Sequence, residues 1–589
     1  MTRVIKKVNL LLDKKQKKHV FMLGILMLIG GVFETLGVSM IIPLASAILD
    51  SEALAQKPIV IELWSILQIP DMTKFLVFLI CVVIAIYIIK NAFLMFQYYV
   101  QYRFVCNNKY IIQTKLFQAF LTKPYEYYLN ASTGEITRVI SNDVGGAFTL
   151  LTTLLSLFTE FIVAVFLIVT IIVVDPVIAI LVGGCLIVMT ILITKGVKPV
   201  LHNAAVNYVE SAKQANKWLF QAINGIKEVK VEEKEAFFLG KFSYYGKKGL
   251  RSEQINSVLS AAPRMLIETV GICGMLGVMV VLILNGRSTT ELWTQIMAFA
   301  VAAVRLLPSA NRINSAINAI NYNEPMLDKL LENLELLKEI ENPNKGVVHN
   351  ISEKRSEVGK QEVLPFENEI LIKNIVFQYP GAAGFVFENA EMRIPKGKTV
   401  GIIGSSGAGK TTVIDILLGL LSPQGGDVLV DGKSIRENYP GWLTHVGYIP
   451  QMIFMLDDTI RANVAFGRDF DSIRDEDVWR ALEEAKLADF VRNLPEGLDT
   501  TIGERGIRIS GGQRQRIGIA RALYTNADVL VFDEATSALD NETEAAIIGS
   551  INALKGKRTM IIIAHRSAAT QDCDFMYKVH DGKITLVEE

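Results

Sequence analysis

The sequence predicts two fused parts of different fold class: an α-helical membrane domain of six spans, and a soluble α/β domain built round a phosphate-binding loop. Three observations predict it. Six apolar runs lie in the first 307 residues, at 20–49, 75–100, 150–174, 177–193, 265–284 and 292–307. From residue 369 the pattern changes to short apolar strand runs, at 399–403, 529–532 and 559–563, separated by helical segments. Between strand 399–403 and helix 412–420 sits a glycine-rich motif that ends in Lys-Thr.

The totals agree with a membrane protein. Hydrophobic residues make up 51% of the 589, and the mean hydropathy is +0.34. The 60 basic and 60 acidic residues cancel, so net charge names no partner. Cys81, Cys106, Cys185, Cys273 and Cys573 are scattered without a C-x-x-C pair, and read as free thiols with no metal role.

Crossing the hydrocarbon core takes roughly 20 apolar residues, and the first run is far too long for a signal-peptide core. Lys14, Lys15, Lys17 and Lys18 precede it, and Ala45-Ser46-Ala47 only mimics a cleavage site. A retained first helix follows. The fourth and sixth runs are short and read as extending into the polar helices after them. The connections alternate: Asp175-Pro176 and 285–291 are short, whereas 103–149 and 194–264 are long and lysine-rich. Positive charge marks the inner side of the membrane, so both termini face the cytoplasm. Residues 3–18 read as an amphipathic helix on that inner surface. We divide the chain into a membrane domain at 1–325, a linker at 326–368 whose polar part is 341–368, and a soluble domain at 369–589.

Gly404-Ser405-Ser406-Gly407-Ala408-Gly409-Lys410-Thr411 fits G-x-x-x-x-G-K-[ST] in the strand-then-helix context that the motif needs. Its glycines let backbone N–H groups close round phosphates, and the helix start adds partial positive charge. Lys410 suits the β- and γ-phosphates of a nucleotide, Thr411 suits Mg²⁺, and Thr412 opens the helix beside them. The apolar strand 529–532 ends in Asp533 and Glu534. Asp533 suits the Mg²⁺ shell, and Glu534 a base that polarises the attacking water.

Those parts alone indicate a nucleoside triphosphatase. Ile509-Ser510-Gly511-Gly512-Gln513 narrows it, because it resembles the signature of the ABC transporter superfamily, with Ile509 in place of the usual Leu. The resemblance implies further roles. Tyr379 stacks on adenine, Gln451 is the Q-loop residue at the metal and water, 537–540 with Asp540 is the D-loop, and His565 is the switch histidine. Glu504-Arg505-Gly506 resembles the X-loop of exporters. In that family Ser510 and the adjacent Gly511, Gly512 and Gln513 cap the γ-phosphate held by the other subunit. One chain carries one phosphate loop and one signature, so the resemblance implies a dimer. Intact catalytic parts favour two identical subunits.

The order of membrane domain and then ATPase resembles exporters typified by lipid A flippases and multidrug exporters. In that type, short coupling helices dock on the ATPase domains, and 125–134 and 221–228 are the candidates. Charged residues inside spans are costly and suspect as functional. They are Glu34, Lys90, Glu160, Arg264, Glu268, Arg305 and Arg312. Two readings stand side by side. In one, they are ion pairs joining Glu34 or Glu268 to an arginine, with Arg264 and Arg312 snorkelling to the inner surface. In the other, Lys90, Arg264, Arg305 and Arg312 line a cavity for an anionic headgroup. Arg305-Leu306-Leu307-Pro308-Ser309, Asn311-Arg312, Glu34, Ser39 and Pro43 resemble the lipid-linked oligosaccharide flippases of bacterial protein N-glycosylation, and 58–69 resembles their external helix.

The resemblance implies ATP-driven export or flipping of a lipid-linked or amphipathic substrate across the cytoplasmic membrane, with the ATPase domain in the cytoplasm. A peptide or drug exporter is the alternative, and an ATP-gated channel or regulator stays open. Six apolar spans exclude a soluble ATPase acting on nucleic acid.

Overall fold

The computed structural model describes residues 2–39, 72–174, 176–284, 289–340, 364–503, 506–534, 541–564 and 572–587. They fall into two compact units. The first comprises Met1–Lys123 and Ala131–Val348, and the second comprises Pro124–Asn130 and His349–Glu589.

The first unit is helical. A short helix α1 (Thr2–Leu11) precedes α2 (Lys14–Ser39) and α3 (Met72–Leu121). In the second unit, α4 (Tyr125–Asn130) follows. The first unit resumes with α5 (Thr133–Arg138), a π-turn at Val139–Asp143, α6 (Val144–Val174), α7 (Pro176–Asn224), α8 (Ile226–Val231), α9 (Glu235–Leu284) and α10 (Thr289–Ile340). Each of the six apolar runs falls on one of the long helices, with the run 20–49 passing beyond the described end of α2. Among the described residues, Lys14–Glu34, Lys74–Leu121 and Thr133–Phe166 are long and apolar enough to cross a membrane. In hydrocarbon a helix satisfies its own backbone, which is why these runs stay unbroken.

Two sequence expectations change, and a third holds. The amphipathic helix ends at Leu11, not at Lys18, because Asp13 caps a new helix: its N–H donates to Gln16 Oε1 at 2.8 Å and its carbonyl accepts from Lys17. Val4, Val8 and Leu11, spaced on one face of α1, are buried within the unit, and Lys7 bonds Glu324 and Asp328 of α10 at 2.9 Å each. The lysine-rich connections are helix-rich, largely as continuations of α3, α7 and α9 beyond the apolar runs. Finally, α10 runs to Ile340, with Leu327 and Leu330 fully buried, so 326–340 is helix and not linker. The other end of the assigned linker is packed too, since Leu364 and Phe366 join the core of the second unit. The part between, 341–363, lies outside the described residues, as do 43 and 58–69.

Close helix approach rests on small residues. A Cβ on Gly30 would overlap the Gln97 amide of α3, and one on Gly31 would meet Ile162 Cγ2 of α6 at 2.7 Å. The glycine pair thus lets α2 lie against two helices at once.

The second unit is α/β. A sheet of order β10-β9-β3-β8-β7-β6 contains β3 (Thr399–Gly404), β6 (Val446–Ile449), β7 (Val529–Asp533), β8 (Thr559–Ile563), β9 (Phe575–His580) and β10 (Lys583–Leu586). Its pairs are parallel apart from β9 with β10. Every residue of β7 and β8 is buried, as expected for strands covered on both faces. An antiparallel sheet, β2-β1-β4-β5, adds β1 (Glu369–Phe377), β2 (Phe387–Pro395), β4 (Gly425–Val430) and β5 (Lys433–Ser434). One core joins the two sheets to helix α11 (Lys410–Leu417), and a second core packs α12 (Asp475–Glu484) and α13 (Gly511–Tyr524) against the other face.

The bulge in β1 makes one glycine obligatory. The register of β1 slips between Lys373 and Val376 opposite β4, where Gly426 takes φ +77°. A Cβ there would overlap the carbonyl oxygens of Lys373 and Asn374. Gly426→Ala therefore combines backbone strain, on the order of 1–3 kcal/mol, with a clash against main chain. The expected outcome is a lower melting midpoint of the α/β unit by several degrees in calorimetry, and an unchanged midpoint would refute the strain.

Candidate functional site

The site lies where parallel strands end. At the carboxyl end of β3 the chain turns through Ser405, Ser406, Gly407 and Ala408 into α11. Gly407 and Gly409 have φ of +80° and +104°, a region L-residues enter at a cost. At Gly409 a Cβ would also meet Val386 Cγ1 at 2.9 Å, so a side chain would not fit there without a shift. Lys410 is 5% exposed, and its Nζ donates to the carbonyls of Gly404 and Ser405, at 3.0 Å each. The ammonium thus closes the loop on itself, beneath backbone N–H groups at the start of α11.

Strand β7 lies one strand away from β3, across β8. It delivers Asp533 at its end and Glu534 beyond it. Glu534 has φ +48°, a left-handed backbone in a residue that rarely adopts it, and its N–H donates to Ile563 of β8 at 3.1 Å. Its carboxylate accepts from Gln451 Nε2 at 2.8 Å. Gln451 sits two residues past the end of β6, the neighbour of β7. Two strand ends thus bring the predicted base and the predicted Q-loop residue into direct contact.

The electrostatics are those of a desolvated acidic pocket. Burial, then the Glu534 carboxylate, raises Asp533 above the usual carboxylate range, while the Tyr448 hydroxyl and Lys410 oppose the rise. Asp415 on α11 is pushed up to about 6, first by burial and then by Asp533. Tyr448 of β6 points its hydroxyl at Asp533 Oδ2, 3.4 Å away, and burial with Asp533 raises it as well. A pocket with more carboxylate than cation favours a divalent ion. Mg²⁺ takes few protein oxygens and keeps water or phosphate for the rest. Asp533 at the end of β7, with Gln451 held at the next residue through Glu534, fits that demand. Among the described residues no cluster of three or more His, Cys, Asp or Glu offers a self-contained metal site. Four cysteines, Cys81, Cys106, Cys273 and Cys573, are free, and Cys185 has no described side chain.

Other predicted residues are placed as follows. The Tyr379 ring stands edge-on to Phe377 at 5.0 Å, and its hydroxyl lies 2.9 Å from Thr412 Oγ1. Ser510 caps α13 in a reciprocal box: its Oγ accepts from the Gln513 N–H at 3.2 Å, and Gln513 Oε1 accepts from the Ser510 N–H at 2.8 Å. Gln513 is therefore committed through its oxygen to holding the helix start. Ser510 and Gly511 are exposed, and Gly512 is buried. The phosphate loop and the signature helix belong to different cores. Glu504, Arg505, 537–540 with Asp540, and His565 lie outside the described residues.

Sequence reasoning missed Asp415 and Tyr448. Asp415 had a faint trace, a lone acid in the apolar helix Val413-Ile414-Asp415-Ile416-Leu417. It also missed Glu126 of α4, whose Oε1 accepts from the Ser422 N–H at 2.9 Å within the second unit.

In the membrane unit the predicted cations behave differently from one another. Lys90 is 8% exposed, with Nζ over the Tyr87 ring at 4.9 Å. Arg312 Nε pairs with Glu160 Oε1 at 2.9 Å, so its partner is neither Glu34 nor Glu268. Arg264 and Arg305 lie on α9 and α10, and their side chains fall outside the described ones.

Comparison with known proteins agrees with this geometry. Residues 387–537 match the family described as ABC transporter, and residues 20–302 match the ABC transporter transmembrane region. An ATP-dependent lipid A-core flippase of Pectobacterium atrosepticum is 39% identical over 39% of this chain and 40% of its own length. One from Methylococcus capsulatus is 30% identical over 62% of this chain and 58% of its own. The chain thus spans less than two thirds of the length of these curated relatives. The structure of a bacterial Atm1-family ABC exporter with ATP bound superposes with a TM-score of 0.73 at 23% identity, covering 98% of this chain and 95% of that one, a likeness of fold.

Glu534→Gln keeps the acceptor for Gln451 but cannot polarise water. Nucleotide binding should persist while phosphate release falls by about 10²-fold or more. Wild-type turnover in this variant would sink the assignment of Glu534.

Proposed function

The chain belongs to the ABC transporter family, and from that premise we propose that it hydrolyses ATP to export or flip a lipid-linked or amphipathic substrate, possible cargo including lipid-linked oligosaccharide, across the cytoplasmic membrane. The observation that carries the proposal is a nucleotide-type site on one chain with long helices, three of which are long and apolar enough to cross a membrane among the described residues. The Gln451–Glu534 contact beside the Lys410 loop is what an ATPase needs, and no soluble role calls for such helices.

In this reading Lys410 and the N–H groups of Gly407 to Thr412 hold the phosphates, Tyr379 meets the adenine, and Glu534 orients water with Gln451 and His565. Asp533, Thr411 and Gln451 hold Mg²⁺, which supplies charge to the phosphates. Ser510, Gly511 and Gly512 serve the phosphates held by a second identical subunit, with Asp540 at the same junction. The separation of the two cores supports a shared site, because the signature helix is built on a different body of the unit from the phosphate loop. The α4 segment, which clusters with the ATPase unit, suits a coupling helix at 125–134, and 221–228, at the α7–α8 junction, is the second candidate. The ATPase unit faces the cytoplasm.

Dimeric catalysis has a direct test. In a dimer with one Ser510→Ala subunit, turnover at the phosphate loop of the other subunit should fall on the order of 10²-fold, the scale for losing one donor at a developing charge. Loss confined to the mutated subunit's own loop would overturn the shared site.

Cargo is tested in sealed vesicles. ATP-dependent movement of fluorescent lipid-linked sugars, absent with Glu534→Gln, is expected. Movement of drugs or peptides in their place would move the reading to the alternative exporter class, and no movement at all would favour a channel or regulator.

A further inference from the structure

Four helices of the membrane unit converge on one polar cluster. The Arg312–Glu160 pair joins α10 to α6 at 2.9 Å, with Glu160 12% and Arg312 52% exposed in their side chains. Glu34 of α2 and Tyr98 of α3 lie within electrostatic range of the pair, and the Ser309 hydroxyl of α10 lies beside Glu160. Gln97 and Gln101, one turn apart on α3 and flanking Tyr98, are 1% and 2% exposed. Among the described residues, Gln97 Oε1 and Gln101 Nε2 have no hydrogen-bond partner. Gln97 sits against Gly30 of α2, one turn before Glu34.

Buried amides without partners are uncommon because the fold gains nothing from their desolvation. Inside a membrane unit water cannot reach every such atom, so the cluster asks for a visiting group that hydrogen-bonds. Among the described side chains of the cluster the charge does not favour an anion: Glu34 and Glu160 outnumber Arg312, which is already paired. Its donors argue against an ammonium, which offers only N–H and leaves Arg312 and Gln101 Nε2 unanswered. A hydroxyl donates and accepts at once. Several hydroxyls on one ring would answer two carboxylates, two amides and a guanidinium together.

We propose that this cluster is a binding site for a polyhydroxylated headgroup, a sugar unit of the cargo, formed by Glu34, Gln97, Gln101, Glu160 and Arg312. The proposal deepens the lipid-cargo reading above and rests on it. It also replaces the anionic-headgroup role expected of Arg312 with a hydroxyl-binding one.

The test uses the full chain in nanodiscs and three probes: a polyprenyl diphosphate bearing a disaccharide, the same lipid without sugar, and decyl maltoside, a sugar with no phosphate. Gln101→Met removes the amide at nearly constant volume, and Glu160→Gln removes one charge while keeping a polar side chain. Melting curves report whether each variant is folded. Each folded variant should bind the disaccharide lipid and the maltoside about tenfold more weakly, the scale for losing one buried partner. Bare polyprenyl diphosphate should bind within about twofold of wild type. Equal loss for both polyprenyl probes would make the cluster structural or anionic and overturn the proposal. So would unchanged binding of all three, which would mark a merely hydrated cluster. Failure of the wild type to bind either polyprenyl probe, with maltoside binding still sensitive to both variants, would defeat the lipid-linked reading and leave the sugar site standing.

Discussion

The α/β unit depends on one electrostatic imbalance: carboxylates gathered where a strand end meets a helix, with the Lys410 ammonium nearby. Asp533, Glu534 and Asp415 approach one another where β7 and α11 meet, and Lys410 is the cation in range of Asp533. Desolvation penalises the charged forms of Asp533 and Asp415. The sheet nevertheless holds them there, because every residue of β7 is buried and its register against β6 and β8 is fixed along the whole strand. Stability alone would not select that arrangement. A bound nucleotide with its metal would relieve it, so the strain is retained by what the site must receive.

The left-handed backbone of Glu534 belongs to the same logic. Phe532 and Asp533 are locked in the parallel ladder, so the chain can present the next carboxylate outward only by turning sharply. The bond from its N–H to Ile563 fixes that turn. Gln451 then meets the carboxylate from the adjacent strand end. In a parallel sheet, neighbouring carboxyl ends lie about 5 Å apart, which is why residues distant in sequence become a single reaction centre.

This explains how much was legible in the sequence. Gly404 to Thr411, Asp533, Glu534 and Ser510 to Gln513 each follow a local spacing, so their strands and helices could be read directly. That each apolar run falls on a long helix was legible for the same reason, since an apolar helix is a property of one segment. Asp415 and Tyr448 act only through contacts between segments, and no local spacing marks them. The Arg312–Glu160 pair was likewise hidden: both residues were recognised as charges inside spans, but which helix faces meet is set by packing. The Gly30 and Gly31 contacts show how far that packing turns on single atoms. Helix ends were misread where continuity beat composition, as in α10, whose polar sequence past residue 325 still buries Leu327 and Leu330.

The membrane unit repeats the imbalance of the ATPase unit in a different currency. At the nucleotide site the excess is negative charge, and its remedy is a cation. Around Glu160 the excess is hydrogen-bonding capacity, because α3, whose Tyr98 lies in range of the already neutral pair, also carries two buried amides without partners among the described residues. A purely structural ion pair would be cheaper with apolar neighbours, since replacing buried polar groups by well-packed apolar ones of like volume is often neutral or stabilising. Surrounding the pair with further unsatisfied groups raises the cost without adding cohesion. The glycine at Gly30, which admits the Gln97 amide where any side chain would displace it, adds to that cost and makes room for it. Groups kept under those terms point to a partner that arrives and departs again.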